Sequence, residues 1–149
     1  MMQFEGDREV PLSSTAVWQK LSDARFLVEC VPDVESVSQS QVDRAVCIIR
    51  PGLAFARGSL ELTVQVVEAV AESSVRLLLH TKGIGSSSDV ETTVTLTPQE
   101  RTTRIHWVAE LKSLGGLLKA VPQGLIKAAA QKVIADVWTA VERRMRDNS

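Results

Sequence analysis

The side chains of this sequence that could do chemistry are few, and their spacing keeps them apart. There are two histidines, His80 and His106, two cysteines, Cys30 and Cys47, and no tyrosine. Catalysis needs such groups together, as a nucleophile within reach of a base or as two carboxylates in unlike environments. No segment assembles either arrangement, so no catalytic residue is expected. The two His and two Cys also lack the close spacing that holds a metal, and no cofactor is expected. Two cysteines would be a thin disulfide framework for 149 residues; they read as buried thiols in a reducing compartment.

The charge balance narrows the partners. Seventeen basic residues oppose 18 acidic ones, which leaves no field to draw in nucleic acid. The N-terminus has no basic segment followed by an apolar run, and nowhere do about 18 apolar residues occur together. A cytoplasmic chain without its own export or membrane-spanning signal is expected. At this length one domain, residues 1–149, with one sizeable core is expected.

The elements that must position the few chemical groups follow from periodicity. Phe4, Gly6, Arg8 and Val10 alternate with Gln3, Glu5, Asp7 and Glu9, as in a strand with one wet face. Ser13 or Ser14 can cap a short helix carrying Val17, Trp18 and Leu21, and a second short helix, Ala24 to Cys30, stops at Val31-Pro32. Six β segments follow: Val34 to Ser40, Arg44 to Arg50, Leu53 to Val67, Ser74 to Lys82, Ser88 to Thr97 and Thr102 to Leu111. Short links such as Pro51-Gly52 and Pro98-Gln99-Glu100 imply an antiparallel meander. Placing the charges in water turns Leu60, Leu62, Val64 and Val66 inward, with Ala45, Cys47 and Ile49. It likewise turns Val75, Leu77, Leu79, Thr81, Ile105, Trp107, Ala109 and Leu111 inward, and leaves His80 and His106 outside. From Gln123 to Arg146 the period becomes helical, with Ile126, Ala130, Val133, Ile134, Val137 and Val141 on one stripe over about six turns. The tail from Asp147 to Ser149 is expected to fray.

This order of elements resembles the START-like helix-grip (SRPBCC) superfamily. Phe4-Glu5-Gly6, Val10-Pro11, Val17-Trp18, Leu21-Ser22-Asp23 and Cys30-Val31-Pro32-Asp33-Val34-Glu35-Ser36-Val37 resemble the opening of the carbon monoxide dehydrogenase G-subunit family. A glycine usually follows the Cys-x-Pro step there; here it is Asp33. Gly52, Phe55 and Gly58, the Thr81-Lys82-Gly83-Ile84-Gly85 turn, Gly115-Gly116-Leu117-Leu118 and an Ala-rich final helix match more loosely. The resemblance implies an α+β fold, a curved antiparallel sheet wrapped on a long C-terminal helix with two short helices after the first strand, enclosing an elongated cavity. Family members are associated with binding lipid-like or quinone-like molecules and with attaching a molybdenum-containing dehydrogenase to the membrane. A hydrophobic small molecule, a redox enzyme and the inner face of the membrane are the partners this implies. Some members carry a C-terminal extension suited to anchoring; this sequence stops at Ser149, directly after the helix, so anchoring is the part of that role least expected here.

The inward set Phe4, Cys47, Ile49, Leu62, Leu77, Leu79, Trp107, Ile126, Val133 and Val137 reads either as pocket lining or as filled core. The implied fold favours a pocket, by analogy. Arg8 breaks the apolar face of the first strand. It either reaches solvent at a strand edge or bulge or pairs with a carboxylate such as Asp136, or else it holds a ligand carboxylate or carbonyl at one end of the pocket. Between Leu111 and Ile126, Gly115 and Gly116 stand beside Leu117 and Leu118. This is either a loop capping the core or a mobile apolar lip at the pocket entrance. Gly83 and Gly85, in the Thr81 to Ser88 segment, would face it. The reading with most support is non-enzymatic binding or carriage of a hydrophobic molecule. Its rivals are an enzyme of the polyketide cyclase or dehydratase kind and an interaction module with a filled core.

Overall fold

The computed structural model describes residues 2–50 and 58–147. The Pro51-Gly52 turn, Phe55 and the start of the strand expected from Leu53 lie outside the described residues. Strand β1, Met2–Val10, alternates exposed acidic and inward residues as expected. Helix α1, Ser14–Leu21, starts where the Ser13 side chain accepts from the Ala16 N–H. Helix α2, Ala24–Glu29, is capped by Asp23 accepting from the Arg25 N–H at 2.9 Å. Then come β2 (Val34–Ser40), β3 (Arg44–Ile49), β4 (Leu60–Val70), β5 (Ser74–Gly83), β6 (Ser86–Pro98) and β7 (Thr103–Gly116). A 3-10 turn, Leu117–Ala120, leads to α3, Gln123–Asp147, which includes the first residue of the expected fraying tail.

All seven strands form one antiparallel sheet in the order β1-β7-β6-β5-β4-β3-β2. Strands β2 to β7 make the expected meander, and β1 closes its far side by pairing with β7, Gly6 opposite Trp107. Register shifts in β2, between Val66 and Glu68, and between Asp89 and Val90 bend the strands. The sheet is curved. Its concave face carries the core, from Val10, Ala45 and Val64 to Val75, Val94 and Ile105. Helices α1 and α2 cover one end of that face with Val17, Leu21, Ala24 and Val28, and α3 comes closest to the sheet at β1. Among the described residues no helix is long and apolar enough to cross a membrane.

Two backbone positions explain sequence features. Asp33, standing where the resembled family usually has glycine, has φ of +64°, a left-handed conformation that glycine takes freely and Asp tolerates better than most residues. Its carbonyl accepts from the Arg50 N–H at 3.0 Å, which ties the start of β2 to the end of β3. Gly115 and Gly116, expected in a loop, are the last residues of β7 and pair with Ser87 and Ser86. The strand continues through them because β6 is long enough to supply partners. Gly116 has φ of +61°, and a Cβ there would collide with the Gly85 carbonyl oxygen. A Cβ at Gly115 would collide with the Ser87 hydroxyl, at the end of a side chain that can rotate, and would stand at ordinary contact distance from the Ser87 Cβ.

Gly116→Ala is therefore expected to cost about 1–3 kcal/mol in backbone conformation alone, with a larger total loss from the collision. Gly115→Ala should be milder, and Asp33→Gly neutral or stabilising. Thermal denaturation of the three variants checks this order; equal losses at the two glycines would contradict it.

Candidate functional site

Between the concave face and α3 lies a cavity of about 370 Å³, within the usual range of small-molecule sites, about 300–1,000 Å³. Strand parity builds its floor: Leu60, Leu62 and Val64 from β4, Leu77 and Leu79 from β5, Val90 and Val94 from β6, Trp107, Ala109 and Leu111 from β7. Helical spacing builds its roof from Ile126, Ala130, Val133, Ile134, Val137, Trp138 and Val141. Leu21 of α1 and Leu27 of α2, both buried, close one end. At the other end stand Ile84, Leu114, Leu117 and Leu118; Ile84 is 38% exposed and Leu117 66%. Trp107 and Trp138 stack across the cavity wall with centroids 5.9 Å apart, joining floor to roof.

Of the expected pocket residues, Phe4, Ile49, Leu62, Leu77, Leu79, Trp107, Ile126, Val133 and Val137 line this cavity. Cys47 does not. It faces inward beside Leu62, but is wholly buried in the core cluster that includes Leu27 and Val28 of α2. Parity selected its face, and α2 covers that part of the face before the cavity begins. Arg8 is also absent from the wall. Its guanidinium donates to Glu142 Oε1 of α3 at 3.4 Å, about 1.7 turns beyond the Asp136 expected as its partner. Asp136 pairs instead with Lys132 at 2.8 Å.

At the exposed end, Leu117 and Leu118 line the cavity, whereas Gly83, Gly85, Gly115 and Gly116 shape the backbone around it. The β5–β6 turn is two residues long. Gly83 pairs with Ser86, and Ile84 and Gly85 between them have φ of +55° and +67°. Such primed turns match the twist of a hairpin and normally use Asn or Gly. A β-branched side chain there is an outlier, and this one lines the cavity rim.

Sequence reasoning missed three features of the wall. Trp138 lies four residues after Ile134 and three before Val141, so helical spacing could have found it. Ile84 could not be found, because its turn gave no reason to look for an apolar wall residue. The third is a group of hydroxyls, Ser86, Ser88 and Thr92, which joins Thr81, already turned inward by parity. Thr81 and Ser88 are cross-strand partners and hydrogen-bond one another.

Among the described residues that line the cavity, none carries an ionisable side chain. The titratable groups lie elsewhere. Burial pushes the Cys30 thiol up to about 12 and the Cys47 thiol up as well, so both are thiols at neutral pH. His80 and His106 sit on the convex face, as parity expected, with side chains nearly half exposed. His80 Nδ1 lies 2.7 Å from Asp89, whose other oxygen accepts from Ser113 Oγ at 2.7 Å. The carboxylate stands in the middle of this chain, so the histidine cannot draw a proton from the serine. Hydrogen bonds from Ser113 and then His80 hold the Asp89 carboxyl below its ordinary 3.8.

The family model for the G subunit of carbon monoxide dehydrogenase (CoxG) matches residues 6–146. No curated protein matches the chain. Among solved structures, a conserved protein from Geobacillus kaustophilus is 20% identical, with a TM-score of 0.84 over 98% of this chain and 96% of its own. A START superfamily protein from Mycobacterium smegmatis is 13% identical, with a TM-score of 0.68 over 99% of both chains. A protein from Thermus thermophilus is 14% identical at the same TM-score, again over 99% of both. At these identities the likeness is one of fold.

A carboxyl whose native value is depressed stabilises the fold above its unfolded-state value, and that contribution is lost as pH falls through the native one. Asp89→Asn should therefore flatten the loss of melting temperature below about pH 4, by a small amount because the pair is exposed. Ligand binding at pH 7 should not change in this variant, in His80→Ala or in His106→Ala. A large loss of affinity with the fold intact would place the convex face in the site.

Proposed function

Given that the chain belongs to the carbon monoxide dehydrogenase G-subunit (CoxG) family, we propose that it binds and carries a hydrophobic, lipid- or quinone-like small molecule beneath α3. The observation that carries this reading is the cavity itself, mostly apolar, with four hydroxyls and no ionisable side chain among its described lining residues. Burying an apolar molecule there releases water from both surfaces at about 25 cal/mol per Å². Cyclase or dehydratase chemistry would call for convergent acid and base groups on the wall, and an interaction module would call for a filled core; the lining supports neither over carriage.

Accessory service to a molybdenum-containing dehydrogenase is the role in which such carriage fits the family. The chain would act as one ligand-binding domain over residues 1–149, in the cytoplasm, giving up its cargo to a redox partner or at the inner membrane face. Ile84 and Leu117, apolar and partly exposed at the rim, supply the surface for that exchange. The gate belongs to the strained Ile84 turn with Leu117 and Leu118, because Gly115 and Gly116 are held in the β6–β7 ladder.

Native mass spectrometry of the purified protein with organic extraction should reveal a bound apolar molecule. Ala130→Phe, which fills the cavity from the roof, should abolish binding while the melting temperature holds or rises. Retained binding in that variant would place the ligand elsewhere.

Ile84→Asn relieves the left-handed strain and removes apolar cover. It should raise the melting temperature and speed exchange of a fluorescent quinone analogue several-fold in stopped flow, with little change in affinity. Unchanged rates would move the gate away from this turn.

A further inference from the structure

The cavity wall is not uniform along its length, and the difference has a direction. Along β6 the inward residues run Val94, Thr92, Val90, Ser88, Ser86, about 26 Å of strand from first to last. Val94 lies with Val64, Val141 and Leu21 at the closed end, each almost wholly buried. Ser86 and Ser88 lie with Thr81 beneath the Ile84–Gly85 turn at the exposed end. Three of the four wall hydroxyls are thus gathered at the mouth. In the Thr81–Ser88 pair one hydroxyl proton is used between the two oxygens, so the second remains to be donated. Ser86 has only a 3.5 Å contact to the Ile84 carbonyl, near the limit of a useful bond.

We propose, resting on the carrier reading above, that the cavity takes a neutral amphiphile. Its uncharged hydrogen-bonding head, a carbonyl or hydroxyl, sits against Thr81, Ser86 and Ser88, and its apolar body runs inward to Trp107 and Trp138. The wall selects against a charged head because no described lining residue carries a counter-charge, and an unpaired ion in an apolar site is strongly disfavoured. It favours this direction because three of the four wall hydroxyls stand at the mouth, whereas toward the closed end Thr92, the cross-strand partner of Leu77, is set among Val64, Val94 and Val141. The indole N–H of Trp107 at that depth is buried without a hydrogen-bond partner. The indole lies over Gly6 of β1, close enough that a Cβ at Gly6 would stand 3.2 Å from Nε1. This nitrogen is sealed against the strand and does not serve the head.

Dodecanoate, methyl dodecanoate, dodecanol and dodecane, matched in chain and different in head, test the proposal by titration at pH 8 read from tryptophan fluorescence. Methyl dodecanoate and dodecanol should bind at least about tenfold tighter than dodecanoate. The double variant Thr81→Val with Ser88→Ala should weaken those two about fivefold or more and leave dodecane unchanged, with the melting temperature confirming the fold. Trp107→Phe, read from Trp138, should keep the preference for a neutral head. Dodecanoate binding as tightly as its ester would overturn the neutral-head assignment, and loss of ester affinity in Trp107→Phe alone would overturn the direction. If none of the four binds, dodecane included, the carrier reading fails and this proposal with it. Equal binding of all four leaves carriage standing and refutes only the head site.

Discussion

Helix α3, 25 residues long, packs against the curved sheet at one end and roofs a cavity along the rest, and this shapes everything on the concave side. The C-terminal half of α3 is held close: Trp138 stacks on Trp107, Val141 and Met145 enter the core with α1 and α2, and Glu142 receives Arg8 from β1. The N-terminal half crosses open space, and Val133 remains 36% exposed although it faces the cavity. The cavity is the volume between a clamped end and a spanning end.

The two ends of that volume meet different demands. At the closed end the small residues Ala24 and Ala45 are packed to complete burial with Leu21 and Val28. At the open end β5, β6 and β7 run past the helix, and the chain must reverse tightly twice, at Ile84–Gly85 and at Gly116. Both reversals use left-handed backbone, and Gly116 packs directly against Gly85. The rim is thus precise in backbone yet apolar in side chain, which suits a place where a molecule crosses from cavity to partner.

The convex face answers to water. Glu5, Asp7, Arg104 and His106 form one cross-strand group, and Arg76, Glu91, Glu110 and Lys112 another. Exposed pairs of this kind add little stability. They keep a broad sheet face soluble and hold the alternation that commits every opposite residue to the interior.

By itself the sequence determined which way the side chains of the regular strands and of the final helix's apolar stripe point. Strand parity put Leu62, Leu77, Leu79 and Trp107 inward and both histidines outward, and helical spacing put Ile126, Val133 and Val137 on the face of α3 that covers them, because these periods are properties of the local backbone. Cap and turn residues likewise located α1, α2 and most strand ends. The sequence could not say what lies above an inward residue. Cys47 and Leu62 share a face, yet one lies in the core that α2 helps to close and the other lines the cavity. Nor could it choose Glu142 over Asp136 for Arg8, since both are acidic residues of one helix and only the docking of that helix on β1 brings one within reach. Gly115 and Gly116 read as a loop or a mobile lip because glycine locally favours any bend. Tertiary pairing with β6 made them the end of a strand, because a ladder partner supplied from elsewhere in the chain outweighs a local preference of about 1 kcal/mol.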